Sequence, residues 1–267
     1  MTAAERVNAE VVNDLRAEGD ALDDLVRDLG PEGWATPTPA PGWTIAHQVA
    51  HLASTDEIAW RTATDPDAVQ AEIQRSLVEG TLQSQIDSSA ETGAARPDLL
   101  AHWRARRSRL AAALESVPRG VKLPWFGPPM SATTMATARL METWAHGQDV
   151  ADALGVTREP TARLRHVAYL GVRTRGFAYA LRDLPLPAEE VRVELTSPAG
   201  ELWTWGPPDA ADRVSGPALD FCLLVTQRRH RDDLSLSAEG AAADGWLDVA
   251  QAFAGPPGNG RSAGQFG

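Results

Sequence analysis

The stretch Leu140-Met141-Glu142-Thr143-Trp144-Ala145-His146-Gly147-Gln148-Asp149-Val150 decides how the chain is read. At ~100° per residue, an α-helix brings Glu142, His146 and Asp149 within roughly 60° of one another. Three side chains able to ligate a cation or carry a proton then share one face. Met141, Trp144 and Leu154 point elsewhere and anchor the helix by burial. A carboxylate and an imidazole spaced i, i+4 can grip one divalent cation without bending the backbone. A third ligand has to come from another helix, and His51 is the candidate.

Around this stretch lie 267 residues, enough for one large domain or two modest ones. A hydrophobic content of 43% with 23% charged residues is that of an ordinary globular chain. The net charge of −11 argues against a general nucleic-acid binder, because little is left to neutralise a phosphate backbone. Arg104, Arg106, Arg107, Arg109 and Arg228 to Arg231 form local basic clusters, but acidic runs balance them. The one cysteine, Cys222, excludes an intramolecular disulfide and fits a reducing compartment. It lies in the apolar run 219–224 and reads as a small buried hydrophobe rather than a nucleophile. Residues 1–29 are rich in Glu and Asp and lack the apolar core of a signal peptide. No stretch approaches the ~18 apolar residues of a membrane span. A cytoplasmic protein with no membrane partner is expected, either a monomer or a homodimer.

Apolar residues from Val7 to Leu29 recur with helical periodicity, and Gly30-Pro31 closes that helix. A proline-rich connection runs from Trp34 to Gly42-Trp43. Thr44 reads as the N-cap of a helix to about Thr64, with Ile45, Val49, Leu52 and Asp56 on one stripe and His51 ~120° round from its centre. Further helices are expected over 66–89, from Pro97-Asp98 to 117, from Ser131 to 154 and over 161–182. Between the second and third of these, 121–125 reads as a short extended piece. The period then changes. Val191-Arg192-Val193-Glu194-Leu195-Thr196 and Leu202-Trp203-Thr204-Trp205 alternate on either side of Ser197-Pro198-Ala199-Gly200, a β-hairpin. Strands at 213–215 and 234–236 and helices at 217–227 and 241–253 complete the pattern. The fold class is mainly α with a smaller α+β part. Residues 1–155 form a helical bundle, 156–255 a helix with a small α+β domain, and 256–267 a disordered tail.

His47-Gln48-Val49-Ala50-His51 is one residue away from the zincin pattern H-E-x-x-H. Gln48 stands where a catalytic glutamate would be, and an amide cannot act as a general base, so a metalloprotease is excluded by that route. Either histidine alone reads as an ordinary helix residue, and Glu142 with His146 alone reads as a surface pair worth a few tenths of a kcal/mol. Two such constellations on two long helices of one bundle raise the metal reading, since bundles build metal sites from inward-facing side chains on different helices.

Trp34, followed by Pro41-Gly42-Trp43-Thr44-Ile45-Ala46-His47-Gln48-Val49-Ala50-His51-Leu52-Ala53, resembles a motif of the DinB-like metal-binding superfamily. Glu142-Thr143-Trp144-Ala145-His146-Gly147-Gln148-Asp149-Val150 resembles its later ligand helix, in the manner of the mycothiol-dependent maleylpyruvate isomerase branch. The resemblance covers 1–155 and extends more weakly to the C-terminal part, which is similar to that branch's sterol-carrier-like second domain. It implies a DinB-like bundle with a metal held by His51, Glu142 and His146, and no ligand role for His47. It also implies a divalent cation, zinc foremost with nickel, manganese and iron as alternatives, and mycothiol as a co-substrate. The implied enzyme is a thiol S-transferase or isomerase acting on a small molecule. A His₂Glu set leaves coordination positions open for water or a substrate atom. Asp149, one turn beyond His146, is the candidate to orient that imidazole or to move protons. Two rival readings share the site: a metal-dependent hydrolase or hydratase, and a non-catalytic metal-binding protein. Asp56 and Arg139 lie near the motifs without an assigned role, and Trp43 and Trp144 read as packing residues.

Overall fold

The structure, a computed structural model, describes residues 3–258 and 260–266. The chain divides into two compact units, residues 1–158 and 159–267.

The first unit is helical. It comprises α1 (Ala3–Val26), the short α2 (Pro31–Trp34), α3 (Ile45–Thr64), α4 (Pro66–Glu79), α5 (Leu82–Ala94), α6 (Leu99–Ser116) and α7 (Ala132–Leu154). Helix α3 is central and packs against α5, α6 and α7, while α1 lies against α6 and α7. The core between them holds Leu22, Val26, Ile45, Val49, Leu52, Leu99, Trp103 and Val150, each 5% exposed or less. Gly93 permits the close crossing of α5 on α3, because a Cβ there would stand 2.8 Å from the Ala50 Cβ.

The helix expected over 66–89 is two helices. Gly80 adopts φ +65, the left-handed conformation that ends α4, and its N–H returns to the carbonyls of Leu77 and Ser76. The stretch 121–125 forms no strand; Leu123 makes an isolated bridge with Met130. Ser131 caps α7, its hydroxyl accepting from the Thr134 N–H at 3.1 Å, and Gly155 at φ +65 closes it. The basic cluster on α6 is spent on ion pairs: Arg104 with Asp23, Arg107 with Asp20, and Arg106 and Arg109 with Glu57.

The second unit places α8 (Leu164–Arg173) and α9 (Arg175–Ala180) before a four-stranded sheet. The single helix expected over 161–182 is interrupted at Thr174, whose hydroxyl donates to backbone oxygens, the Gln251 carbonyl at 2.7 Å among them. The hairpin lies where the alternation puts it, as β1 (Val191–Thr196) and β2 (Leu202–Trp205). Strand β3 (Asp212–Pro217) runs parallel to β1, and β4 (Ser237–Glu239) is antiparallel to β3, giving the order β2-β1-β3-β4. The last strand lies three residues beyond its expected place at 234–236. There Leu234 closes a single 3-10 turn (Arg231–Asp233) instead.

Val191, Val193 and Leu195 alternate inward from β1. Helices α10 (Ala218–Val225) and α11 (Ala241–Val249) pack on the sheet, with Phe221 and Trp246 meeting edge-on at 5.8 Å. Asp212 caps α11, its Oδ1 accepting from the Ala242 and Ala243 N–H groups at 2.7 and 3.0 Å. Cys222 is fully buried, and burial pushes its thiol well above the ordinary range, which removes it as a nucleophile. Beyond Gly255, Gly264 donates its N–H to the Asp233 carboxylate and Phe266 lies under the Arg229 guanidinium. No described helix is long and apolar enough to cross a membrane.

Candidate metal centre

Helices α3 and α7 carry the site. At the start of α3 the Thr44 N–H donates to His47 Nδ1 at 3.2 Å, and the Thr44 hydroxyl lies 2.8 Å from the same atom. His47 Nδ1 is thereby an acceptor, and its Nε2 is left to donate to Glu91 Oε2 at 2.8 Å. Both nitrogens of His47 are spent on starting α3 and tying it to α5.

One turn later His51 faces Glu142 and His146 of α7. The three residues bring one ligand atom each to within 4.8 Å of one another. His146 Nε2 stands 3.3 Å from Glu142 Oε2, and the two imidazole centroids are 4.6 Å apart. Bonds of about 2.0–2.1 Å to a tetrahedral cation place neighbouring ligand atoms about 3.3 Å apart, so this spacing suits two arms of one coordination sphere. The side chains of His146 and Glu142 are 12% and 21% exposed, so the site is not sealed from solvent.

Burial pushes the Glu142 carboxyl upward. The hydrogen bond and charge of His146, with Arg139 and His51, outweigh that effect and bring it down to about 2. Glu142 is therefore an anion at any ordinary pH.

The protonation of His146 follows from its neighbours. The Thr38 hydroxyl donates to the Trp43 carbonyl at 2.9 Å. Its oxygen is then free to accept from Gln48 Nε2, also at 2.9 Å. That orients the carboxamide and turns Gln48 Oε1 to His146 Nδ1 at 2.5 Å. Gln48 therefore accepts the Nδ1 proton of His146, and Nε2 is left facing the Glu142 carboxylate at 3.3 Å, where it either donates a proton to that anion or shares a cation with it. Two electron-rich atoms held face to face repel unless a cation, proton or metal, lies between them. A His₂Glu donor set of this kind fits a divalent metal of the zinc type.

Trp43 flanks the site. Its ring centroid is 5.3 Å from that of His51 and 6.1 Å from that of His146, nearly parallel to the latter. The packing role read for it from sequence is thus incomplete, because the surface it covers is that of two candidate ligands. Trp144, 5% exposed, is a packing residue. Near Glu142, Arg139 Nε donates to Asp56 Oδ1 at 3.0 Å in an almost fully buried pair. Burial pushes the Asp56 carboxyl up against the pull of Arg139. A cavity of about 240 Å³ between α1 and α6 reaches Asp56 and Thr143.

Asp149 is 1% exposed on α7. Gln48 Oε1 and Glu142 Oε2 stand at the two nitrogens of His146, which makes Gln48 a further candidate, beside Asp149, to orient that imidazole. Sequence reasoning missed Gln48, having weighed it only as an absent general base. Its placement three residues before His51, on a neighbouring part of the same helical face, was the available signal.

The family model described as the mycothiol maleylpyruvate isomerase N-terminal domain matches residues 15–151, and one described as wyosine base formation matches 187–239. An uncharacterized protein of Mycobacterium tuberculosis, found in two strains, is 56% identical over 251 residues, covering 94% of this chain and 97% of the relative. A crystal structure of the mycothiol-dependent maleylpyruvate isomerase shares the fold with a TM-score of 0.60 at 15% identity, over 86% of this chain and 92% of that one. A histidine-to-alanine mutant of that isomerase gives 0.57 at 14% identity, with the same coverage. On the match that spans α3, most of α7 and all three candidate ligands, this chain belongs to the mycothiol maleylpyruvate isomerase N-terminal domain family.

Proposed function

We propose that the protein is a divalent-metal-dependent enzyme of the thiol S-transferase or maleylpyruvate-isomerase type, with His51, Glu142 and His146 as the ligands and mycothiol as the co-substrate. The observation that carries the metal is the convergence of one ligand atom each from His51, Glu142 and His146 within 4.8 Å, with His146 Nε2 3.3 Å from Glu142 Oε2. The thiol and the small-molecule class rest on family membership, on the activity named for the solved isomerase and on a site left partly open. Zinc is the metal proposed for this donor set.

Such a cation supplies Lewis acidity, lowering the proton affinity of a thiol and polarising a carbonyl. The chain's own groups set the conditions. Glu142 contributes one negative charge, and the two neutral imidazoles add none, so the liganded centre keeps a net positive charge that attracts anions. Gln48 holds His146 in the donating tautomer. Trp43 covers the imidazoles on one flank and limits the approach of water there. Asp149, buried on α7, is proposed as the group that holds or moves a proton.

The test is turnover of maleylpyruvate by the metal-loaded protein with and without mycothiol. Thiol-dependent isomerisation that disappears in Glu142→Ala and falls in Asp149→Asn is expected. Hydrolysis or hydration that proceeds equally without thiol would contradict the transferase reading in favour of a metal-dependent hydrolase. A protein that keeps its metal and turns over nothing would contradict both.

A further inference from the structure

Gln48 is buried at 0% exposure, yet its side chain is an amide, and both ends of that amide are used. One end accepts from His146 Nδ1 at 2.5 Å; the other donates to Thr38 Oγ1 at 2.9 Å. Thr38 in turn bonds the Trp43 carbonyl through its hydroxyl, at 2.9 Å, and through its backbone N–H, at 2.8 Å. Trp43 closes the circuit by stacking on the His146 ring and meeting the His51 ring at a tilt. The loop between the Pro37–Thr44 bridge partners is therefore fastened to the candidate ligands twice, by hydrogen bonds and by ring contact.

We propose that Gln48 is a positioning residue of the metal centre. Its carboxamide fixes His146 in the tautomer that presents Nε2, and it couples that ligand to the Thr38–Trp43 loop. This rests on the metal reading above.

The chemistry explains the amide. An imidazole bound to a metal gains basicity and a fixed orientation when its other N–H has an acceptor. A glutamate would be the stronger acceptor, but it would add a second negative charge beside Glu142 and cancel the positive charge of the liganded centre. Glutamine supplies the acceptor without the charge, and it alone of the two also offers an N–H to Thr38. A hydrophobic isostere such as methionine supplies neither. The amide therefore serves ligand orientation, centre charge and loop attachment together.

The test measures Zn²⁺ affinity by chelator competition, the absorption spectrum with Co²⁺, and tryptophan emission on Zn²⁺ binding. The wild type is compared with Gln48→Met, Gln48→Glu and Thr38→Val, with circular dichroism as the check on folding. Loss of an outer hydrogen-bond partner typically weakens metal binding about 10–100-fold, and that loss is expected in Gln48→Met. Gln48→Glu, which restores an acceptor, is expected to bind at least as tightly as the wild type, with a shifted Co²⁺ spectrum. In Thr38→Val the affinity holds within a few-fold, while the metal-dependent emission change shrinks, because Trp43 is uncoupled from the ligands.

Wild-type affinity in a folded Gln48→Met would overturn the proposal and leave the metal reading standing. So would an equal loss in Gln48→Met and Gln48→Glu. If Gln48→Met does not fold, Gln48→Glu alone decides: undiminished affinity supports the proposal, and a tenfold loss overturns it. A wild type that binds no Zn²⁺ overturns both together.

Discussion

Glu142 shows how one residue carries opposing forces. Burial favours its neutral form, while the imidazoles and Arg139 favour the anion, and the anion wins, with the carboxyl at about 2 against an ordinary 4.5. A carboxyl whose pKa is lower folded than unfolded stabilises the fold at pH above the unfolded value, and this stability drains away as pH falls through the folded value. For the metal-free protein the window runs from about 4.5 down to about 2. Urea unfolding between pH 7 and pH 3 should therefore show a smaller acid-induced loss in Glu142→Gln than in the wild type. Identical slopes would contradict the assignment. With metal present a further acid sensitivity is added, because protons and the cation compete for the same imidazoles.

The buried pair of Asp56 and Arg139 is the second consequence at this scale. With both side chains 3% exposed or less, removing one partner strands the other in a low-dielectric core. Asp56→Ala is expected to cost about 3–5 kcal/mol, read as a shift of the urea midpoint at constant slope. A loss below 1 kcal/mol would mean that Arg139 finds another partner. Sequence alone placed Asp56 on the apolar stripe of α3. A carboxylate there had no visible reason until Arg139, 83 residues away in the chain, supplied one.

At the scale of elements, the strongest predictions from sequence were those with local causes. Helices α3 and α7 start where Thr44 and Ser131 announce them, and Gly155 ends the latter. The interruptions were harder to read. Gly80 is a helix terminator by conformation, but a lone glycine within a thinly apolar run does not reveal whether the chain bends there. Thr174 ends α8 through a bond to Gln251, a partner that only the folded unit brings near. The displacement of β4 has the same origin, because its register is set by pairing its Ser237 with Ser215 of β3, not by its own alternation. The N-terminus of α3 allows a direct check. Thr44→Ala removes the hydroxyl partner of His47 and is expected to destabilise by about 1 kcal/mol. Metal binding should be retained, since His47 is not a ligand. Loss of metal in a folded Thr44→Ala would implicate His47 in the centre after all.

Across the whole molecule, the bundle and the small α+β unit were legible because one follows a period of 3.6 and the other a period of 2. The triad was legible in outline for a similar reason. Glu142 and His146 obey helical spacing on one helix, and the motif around His51 carries the family resemblance. What sequence could not supply was the set of contacts that finish the site. Gln48 meets His146 across 98 positions, and Trp43 reaches both imidazoles from a proline-rich loop that has no periodicity to read. These contacts are made by packing α3 on α7, so they exist only at the scale of the folded unit.

The central claim is that His51, Glu142 and His146 hold one divalent cation, and elemental mass spectrometry tests it most directly. The protein would be purified without an affinity-tag metal and compared with His51→Ala, Glu142→Ala and His146→Ala, each checked for folding by circular dichroism. The account predicts close to one metal ion per wild-type chain, zinc foremost, and its loss in all three variants. A wild type that stays empty after incubation with zinc, nickel, manganese and iron, or variants that keep their metal, would contradict it.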